Sequence, residues 1–201
     1  AKYDAEGNAG YLDIRLRKTM DQGLNGTFSA SYGYGRGHMS NDNISFNFRQ
    51  QRLNLFGNYS FLLNGREQVF ETSRTINAPT GFEESFTLGV RNPTQRNHNA
   101  RIGVDYQIND KTIIGGLVAG YDNKWTMDAL NTNRLRQDGT LTTVNAIDNV
   151  ERNQWQHLSA NFNLKHDFTR QEHISFDLDY LDFYNENPTD YFNSVFDGSN
   201  T

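Results

Sequence analysis

The sequence predicts an all-β protein: an antiparallel up-and-down sheet forming part of a transmembrane β-barrel. Three observations lead there. Apolar and polar residues alternate with a period of two through most of the chain, as they do along a strand with two different faces. The connections between the alternating runs are short and long by turns, so that all the short ones fall at one end of a meander and all the long ones at the other. Finally, 10 tyrosines and 14 phenylalanines in 201 residues accompany a hydrophobic fraction of only 35%. A disordered chain would lack the aromatics, and a soluble domain of this length would carry a larger apolar share.

The first predicted strand covers 24–34, with Leu24, Gly26, Phe28, Ala30, Tyr32 and Tyr34 on one face and Asn25, Thr27, Ser29 and Ser31 on the other. The second sets Ile44, Phe46 and Phe48 against Asn43, Ser45, Asn47 and Arg49. The third sets Leu53, Leu55, Gly57, Tyr59 and Phe61 against Asn54, Asn58 and Ser60, with Phe56 as the exception. The fourth is the cleanest: Ala100, Ile102, Val104, Tyr106 and Ile108 against Asn99, Arg101, Gly103, Asp105 and Gln107. The fifth is read from Ile113, Gly115, Leu117, Ala119 and Tyr121 as the apolar face. Leu158, Ala160, Phe162 and Leu164 give the sixth, and Ile174, Phe176, Leu178 and Tyr180 the seventh. No segment reads as a helix, and no apolar run approaches the ~20 residues a membrane helix needs.

Between these strands the short connections lie near Gln50 and Gln51, at Asn109 and Asp110, and from Phe168 to Glu172. The long ones are expected over 36–42, 64–97 and 128–152. Short turns on one side and long loops on the other are the pattern of an outer-membrane barrel. Tyr34, Tyr59, Tyr121, Trp125 and Tyr180 are expected on the apolar face toward the long-loop end and Tyr106 toward the short-turn end, where amphipathic rings form interfacial girdles. Trp155 is out of phase and is assigned to a loop or bulge. An apolar face turned to lipid needs no second apolar layer, which accounts for the low hydrophobic fraction. Val104 and Leu117 are expected to face lipid near mid-strand, and Gly103 the lumen. Bacterial single-chain barrels have an even strand number, so seven strands predict that the chain is a segment of a larger barrel.

Residues that suggest chemistry do not converge. His38, His98, His157, His166 and His173 are scattered, and His157 and His166 fall on opposite sides of one strand, which predicts no metal site. Asp177 and Asp179 share a face, but without a partner nucleophile they read as carboxylates lining a lumen. The stretch SYGYGRGHM (31–39) resembles a phosphate-cradling glycine loop only superficially, because no Lys-Ser/Thr or helix follows; it reads as a strand end and turn. GFEESF (81–86) and LNTNRLRQDG (130–139) are candidate ligand-contacting loops or strand extensions above the membrane. No enzyme, catalytic residue or cofactor is predicted, and a net charge of -5 argues against nucleic acid. The absence of cysteine rules out a disulfide framework or thiolate metal site.

The opening stretch YDAEGNAGYLDIRLRK, with Tyr3, Gly7, Ala9, Gly10, Leu12, Ile14, Leu16 and Lys18, resembles the end of the plug domain of TonB-dependent outer-membrane receptors, and GLNGTFSASYGYG with RLNLFGNYSF resembles the first barrel strands of their Bacteroidetes-type branch. Tyr11 and Asp13 depart from the apolar residue and asparagine of that pattern. The resemblance implies the C-terminal end of a plug over 1–18, a linker over 19–23, and the N-terminal part of a 22-stranded barrel over 24–201. It implies a receptor in the bacterial outer membrane that imports a nutrient (iron chelate, glycan or peptide). Its expected partners are outer-membrane lipid, the remainder of its own barrel and plug, a surface lipoprotein, and a TonB-type energy-transducing complex reached through upstream residues. A structural or adhesive barrel without an import role and a soluble carbohydrate-binding module are the alternatives.

Overall fold

The computed structural model describes residues 22–79, 81–169 and 171–198. The expected plug strand and all but the last two residues of the expected linker lie outside the described residues. The rest forms one antiparallel sheet of nine strands, β1 (Gly23–Tyr34), β2 (His38–Gln50), β3 (Leu53–Gly65), β4 (Gln68–Ala78), β5 (Gly81–Asn109), β6 (Thr112–Gln137), β7 (Thr140–Asp167), β8 (His173–Glu186) and β9 (Thr189–Asp197). The main path runs β1-β2-β3-β5-β6-β7-β8, with β4 beside the upper part of β5 and β9 beside the upper part of β7. The sheet is up-and-down and is not closed.

All seven predicted strands are present, and the short turns come where expected. Gln51 adopts a left-handed conformation (φ 49°) in the first of them. In the third, the Phe168 and Thr169 amides both donate to the Glu172 carbonyl. At the other end the expected loops are largely β-structure. The first shrinks to a turn between Tyr34 and His38. The segment expected as a loop over 64–97 is the end of β3, all of β4 and the upper part of β5. The 128–152 segment is a continuous β6–β7 hairpin, turned by Asp138 (φ 48°) and Gly139 (φ 82°), the left-handed pair that a two-residue hairpin turn requires. The tail beyond Tyr180 continues as β8 and β9. β5 is 29 residues long. At ~3.4 Å per residue it extends on the order of 100 Å, several times what a tilted membrane crossing of ~10 residues uses.

β3 with β4, and β8 with β9, each behave as one long strand interrupted by two residues. β5 pairs with β3 through Thr94–Tyr106 and with β4 through Gly81–Arg91; β7 pairs with β8 through 154–167 and with β9 through 143–151. The two breaks lie on one line across the sheet. The Arg66 amide donates to the Pro93 carbonyl at 3.1 Å, Pro93 stands opposite Met127, Met127 opposite Glu151, and the Arg152 amide donates to the Pro188 carbonyl at 3.1 Å. Proline has no amide for a ladder, so it is tolerated where pairing lapses. Pro93 and Pro188 sit in this line, and Pro79 lies in the β4–β5 turn. The Arg152 guanidinium stitches the line, donating to the Met127 and Glu151 carbonyls and pairing with Asp128 at 2.7 Å. Below the line lies the sheet that carries the apolar belt; above it stands a projecting, mostly polar extension.

Directly opposed residues of an antiparallel pair share a face, so the register assigns faces strand by strand. Gly26, Phe46, Gly57, Ile102, Val118, Ala160 and Tyr180 form one row of the apolar face; Leu24, Phe48, Leu55, Val104, Gly116, Phe162 and Leu178 form the next. The fifth predicted strand is therefore out of phase by one residue. Ile114, Gly116, Val118 and Gly120 lie on the apolar face, whereas Ile113, Gly115, Leu117, Ala119 and Tyr121 lie on the polar face opposite Gln107, Asp105, Gly103, Arg101 and Asn99. Leu117 thus faces the side opposite to the one expected, and so do Tyr121 and Trp125, which drop out of the girdle. Trp155 is neither loop nor bulge: it sits in regular pairing between Asn123 and Asn185, on the polar face.

Candidate functional site

The polar face of the lower sheet is a hydrogen-bonded wall. Thr27 and Ser45 hydroxyls meet at 2.7 Å, Asn47 donates to Asn54 at 2.9 Å, and Asn54 donates to Asp105 at 3.2 Å. Further along, Asn163 donates to Asn161 at 3.0 Å and Asn161 to Asp179 at 2.7 Å. Asp179 is thus a member of the wall, with Asp177 two residues away opposite Asn163. Side-chain oxygens of Asn123 and Asn153, on this face of β6 and β7, and of Asn131 and Asn149, on its continuation above the break line, are shielded from solvent and have no hydrogen-bond partner among the described residues. A shielded, unpaired amide oxygen is costly unless something supplies a donor.

Two apolar groups interrupt the wall. Phe56, Gly103 and Leu117 stand in one row, and a Cβ on Gly103 would come within 2.4 Å of the Phe56 ring. This accounts for the Phe56 exception in the alternation: its ring lies over the one neighbour without a side chain. Two rows up, Tyr121, His157 and Phe183 line up, with His157 stacked on Phe183 at 4.2 Å and tilted against Tyr121 at 5.3 Å. His157 Nδ1 also lies 3.0 Å from the Asp182 carbonyl. The aromatic group was not foreseen. For His157 and Phe183 the sequence carries a trace, odd positions in strands read with an even apolar face; for Tyr121 only the register gives the face.

The other histidines stay apart. His38 meets the Tyr32 hydroxyl at 2.7 Å, His98 the Tyr59 hydroxyl at 2.8 Å and His166 the Thr112 hydroxyl at 2.8 Å, and His173 opens β8 opposite Asp167. His157 and His166 do lie on opposite faces of β7. Among the described residues no three His, Asp or Glu side chains come together as a metal site would need. Residues 31–39 are the end of β1, a turn and the start of β2, the arrangement expected of them.

The two candidate ligand-contacting segments are brought side by side at the tip of the extension. Glu84 stands opposite Arg136, Ser85 opposite Leu135 and Phe86 opposite Arg134. A cleft of about 250 Å³ there is lined by Arg74, Glu83, Glu84, Arg136 and Thr142 among others, and the Asp138 carboxylate accepts the Phe82 amide at 3.0 Å. Mixed charge beside Ile76 and Leu135 suits a polar ligand with an apolar part. Above the apolar belt, the Tyr184 phenol donates to Glu186 at 2.6 Å, and that hydrogen bond to a carboxylate raises its pKa above the ordinary tyrosine value.

The opposite face is apolar and open. Ile102 is 52% exposed, Val118 47% and Leu158 47%, although each sits in the middle of the sheet with a strand on either side. Buried hydrophobic side chains among the described residues are Met127, Ala129 and Val144, all in the upper extension or at the break line. No protein-family model and no curated protein matches this chain.

Proposed function

We infer that the sheet is one wall of an outer-membrane β-barrel of the TonB-dependent receptor type, and that the protein imports a nutrient across the bacterial outer membrane. The observation that carries this reading is the inverted amphipathicity of β5, β6 and β7 below the break line: Ile102, Val104, Val118, Leu158 and Phe162 are exposed, whereas Asn99, Asn123, Asn153, Asn161 and Asn163 on the other face are part-buried. In water such a face would cost roughly 25 cal/mol for each Å² of apolar surface left uncovered. Against hydrocarbon it costs nothing, and the alternating belt of nine residues from Ala100 to Ile108 matches a tilted crossing of ~9–11 residues. The open edges at β1 and β8 fit the same reading, since unpaired strand edges do not persist in hydrocarbon and require further strands of the barrel.

Transport is supported by the other face. Apolar groups at Phe56 and Leu117 and orphan amide oxygens at Asn123 and Asn153 suit a wall that something packs against, as a plug does in a closed lumen. The polar extension with its tip cleft suits ligand capture at the cell surface. The full-length protein is expected to partition into detergent and to run as a folded band in SDS until boiled. Partition into the aqueous phase without detergent would remove the barrel reading. Uptake of iron chelates, glycans and peptides by a strain lacking the gene then tests import: loss of one supports the receptor, and unchanged uptake of all three favours a structural or adhesive barrel.

A further inference from the structure

The apolar face carries an open groove of about 560 Å³ lined by Ile44, Tyr59, Ala100, Val118, Gly120 and Leu158, with almost no polar surface. Its floor is low because Ala100 and Gly120 stand opposite each other in the middle of a row of larger residues. Filling that floor from within is obstructed, because a Cβ on Gly120 would meet the His157 carbonyl oxygen at 2.7 Å. Along β5 and β6 the groove leads toward the long-loop end, where the next two rows bring His98 opposite Asp122 and Arg96 opposite Lys124.

The Arg96–Lys124 pairing is unfavourable by itself, since like charges directly opposed across two strands destabilise the pair. Asp122 relieves it on the Lys124 side alone. Its carboxylate accepts Gln154 at 2.8 Å and reaches Lys124 only at 3.8 Å, and among the described residues no carboxylate lies within ion-pair distance of Arg96. His98 is engaged with the Tyr59 hydroxyl at the groove's upper edge. Arg96 and Lys124 stand opposite each other one row beyond His98 and Asp122, which close the upper end of the trough, so the arrangement complements an amphiphile with an acyl chain below and an anion above. A guanidinium fork with an ammonium point charge suits a phosphate in particular.

We propose that the groove and the Arg96–Lys124 pair bind one bilayer lipid whose phosphate headgroup carries no compensating cation, its acyl chain against Ala100 and Gly120 and its phosphate between the two cations. The site rests on the barrel reading, because only a face turned to the membrane meets such a lipid. The phosphate relieves the charge repulsion between β5 and β6, and the chain fills the trough.

The test is native mass spectrometry of the full-length protein in a zwitterionic detergent, with added phosphatidic acid or phosphatidylcholine of matched chains. Wild type is expected to retain phosphatidic acid about tenfold better. The double variant R96Q/K124Q is expected to bring the two lipids within about twofold, and Ala100→Phe, which fills the groove, to lower retention of both. Millimolar inorganic phosphate is expected not to displace the bound lipid. A folded, heat-modifiable R96Q/K124Q protein that keeps the wild-type preference would overturn the proposal while leaving the barrel intact, as would displacement by inorganic phosphate. Should R96Q/K124Q fail to fold, the single variant Arg96→Gln, with Lys124 retained, is read by the same ratio. A wild-type protein that is soluble without detergent overturns both.

Discussion

Phe56 and Gly103 stand directly opposite each other across β3 and β5, and the Phe56 ring occupies the place where a Gly103 side chain would begin, 2.4 Å from an ideal Cβ. Gly103→Ala should therefore destabilise the sheet by about 1–3 kcal/mol through overpacking. Phe56→Ala leaves room for that methyl, so the double variant should be less destabilised than the sum of the singles. Denaturant unfolding in detergent of the four proteins in the cycle measures the coupling; strict additivity would mean that the two residues do not touch.

The register separates two residues that the alternation alone placed together. Val104→Arg puts a guanidinium on the apolar face near mid-belt and should cost about 2–4 kcal/mol in a bilayer. Leu117→Arg points to the other side, beside Phe56, where its cost is one of packing and should not change with bilayer thickness or headgroup. Folding titrations of both variants in thin and thick bilayers check this: only the Val104 variant should respond to thickness.

That distinction shows where the sequence is legible and where it is not. β1, β5 and the first half of β8, up to Tyr180, each offer a single apolar phase, and the face assignment from Leu24, Val104 or Phe176 agrees with the register. In β6 both phases are apolar or small, Ile113-Gly115-Leu117-Ala119 against Ile114-Gly116-Val118-Gly120, so a period of two does not choose between them. Only the pairing with Ile102 and Ala160 does. The long connections were unreadable for a related reason. Strands such as β4, QVFETSRTINA, carry no continuous apolar face, so little alternation survives to mark them. Trp155 is out of phase with the apolar residues of its strand because it lies on the polar face, between Asn123 and Asn185. The tip cleft was half legible: 81–86 and 130–139 stood out, but their direct pairing depends on how far β5 and β6 extend.

Gly139 follows Asp138 in a turn where both have positive φ. Gly139→Ala should loosen the β6–β7 tip by about 1 kcal/mol, because an alanine is strained there. Limited proteolysis should cut the variant near 138 faster than wild type while the unfolding transition of the rest of the sheet stays unchanged. Equal cleavage rates would show that the turn does not limit opening.

Arg152 ties the break line together more through carbonyls than through charge. Its ion pair with Asp128 is exposed, so Asp128→Asn should cost no more than about 1 kcal/mol. Arg152→Ala also removes the bonds to Met127 and Glu151, and should cost more than Asp128→Asn. Hydrogen exchange at the Arg66 amide and at the amide of residue 152, which bond to Pro93 and Pro188, reports the difference. Equal protection in the two variants would assign the line's stability to the ion pair.

The central claim is that the apolar face of β5 meets hydrocarbon. The described chain contains no cysteine, so single cysteines placed in turn from 100 to 107, in an otherwise cysteine-free full-length protein, can carry spin labels in a reconstituted bilayer. Collision with oxygen, which concentrates in lipid, should peak at Ala100, Ile102, Val104 and Tyr106, and collision with a water-soluble nickel chelate should not peak there. Oxygen accessibility without a period of two, or with its maxima at Arg101, Gly103 and Asp105, would contradict the account.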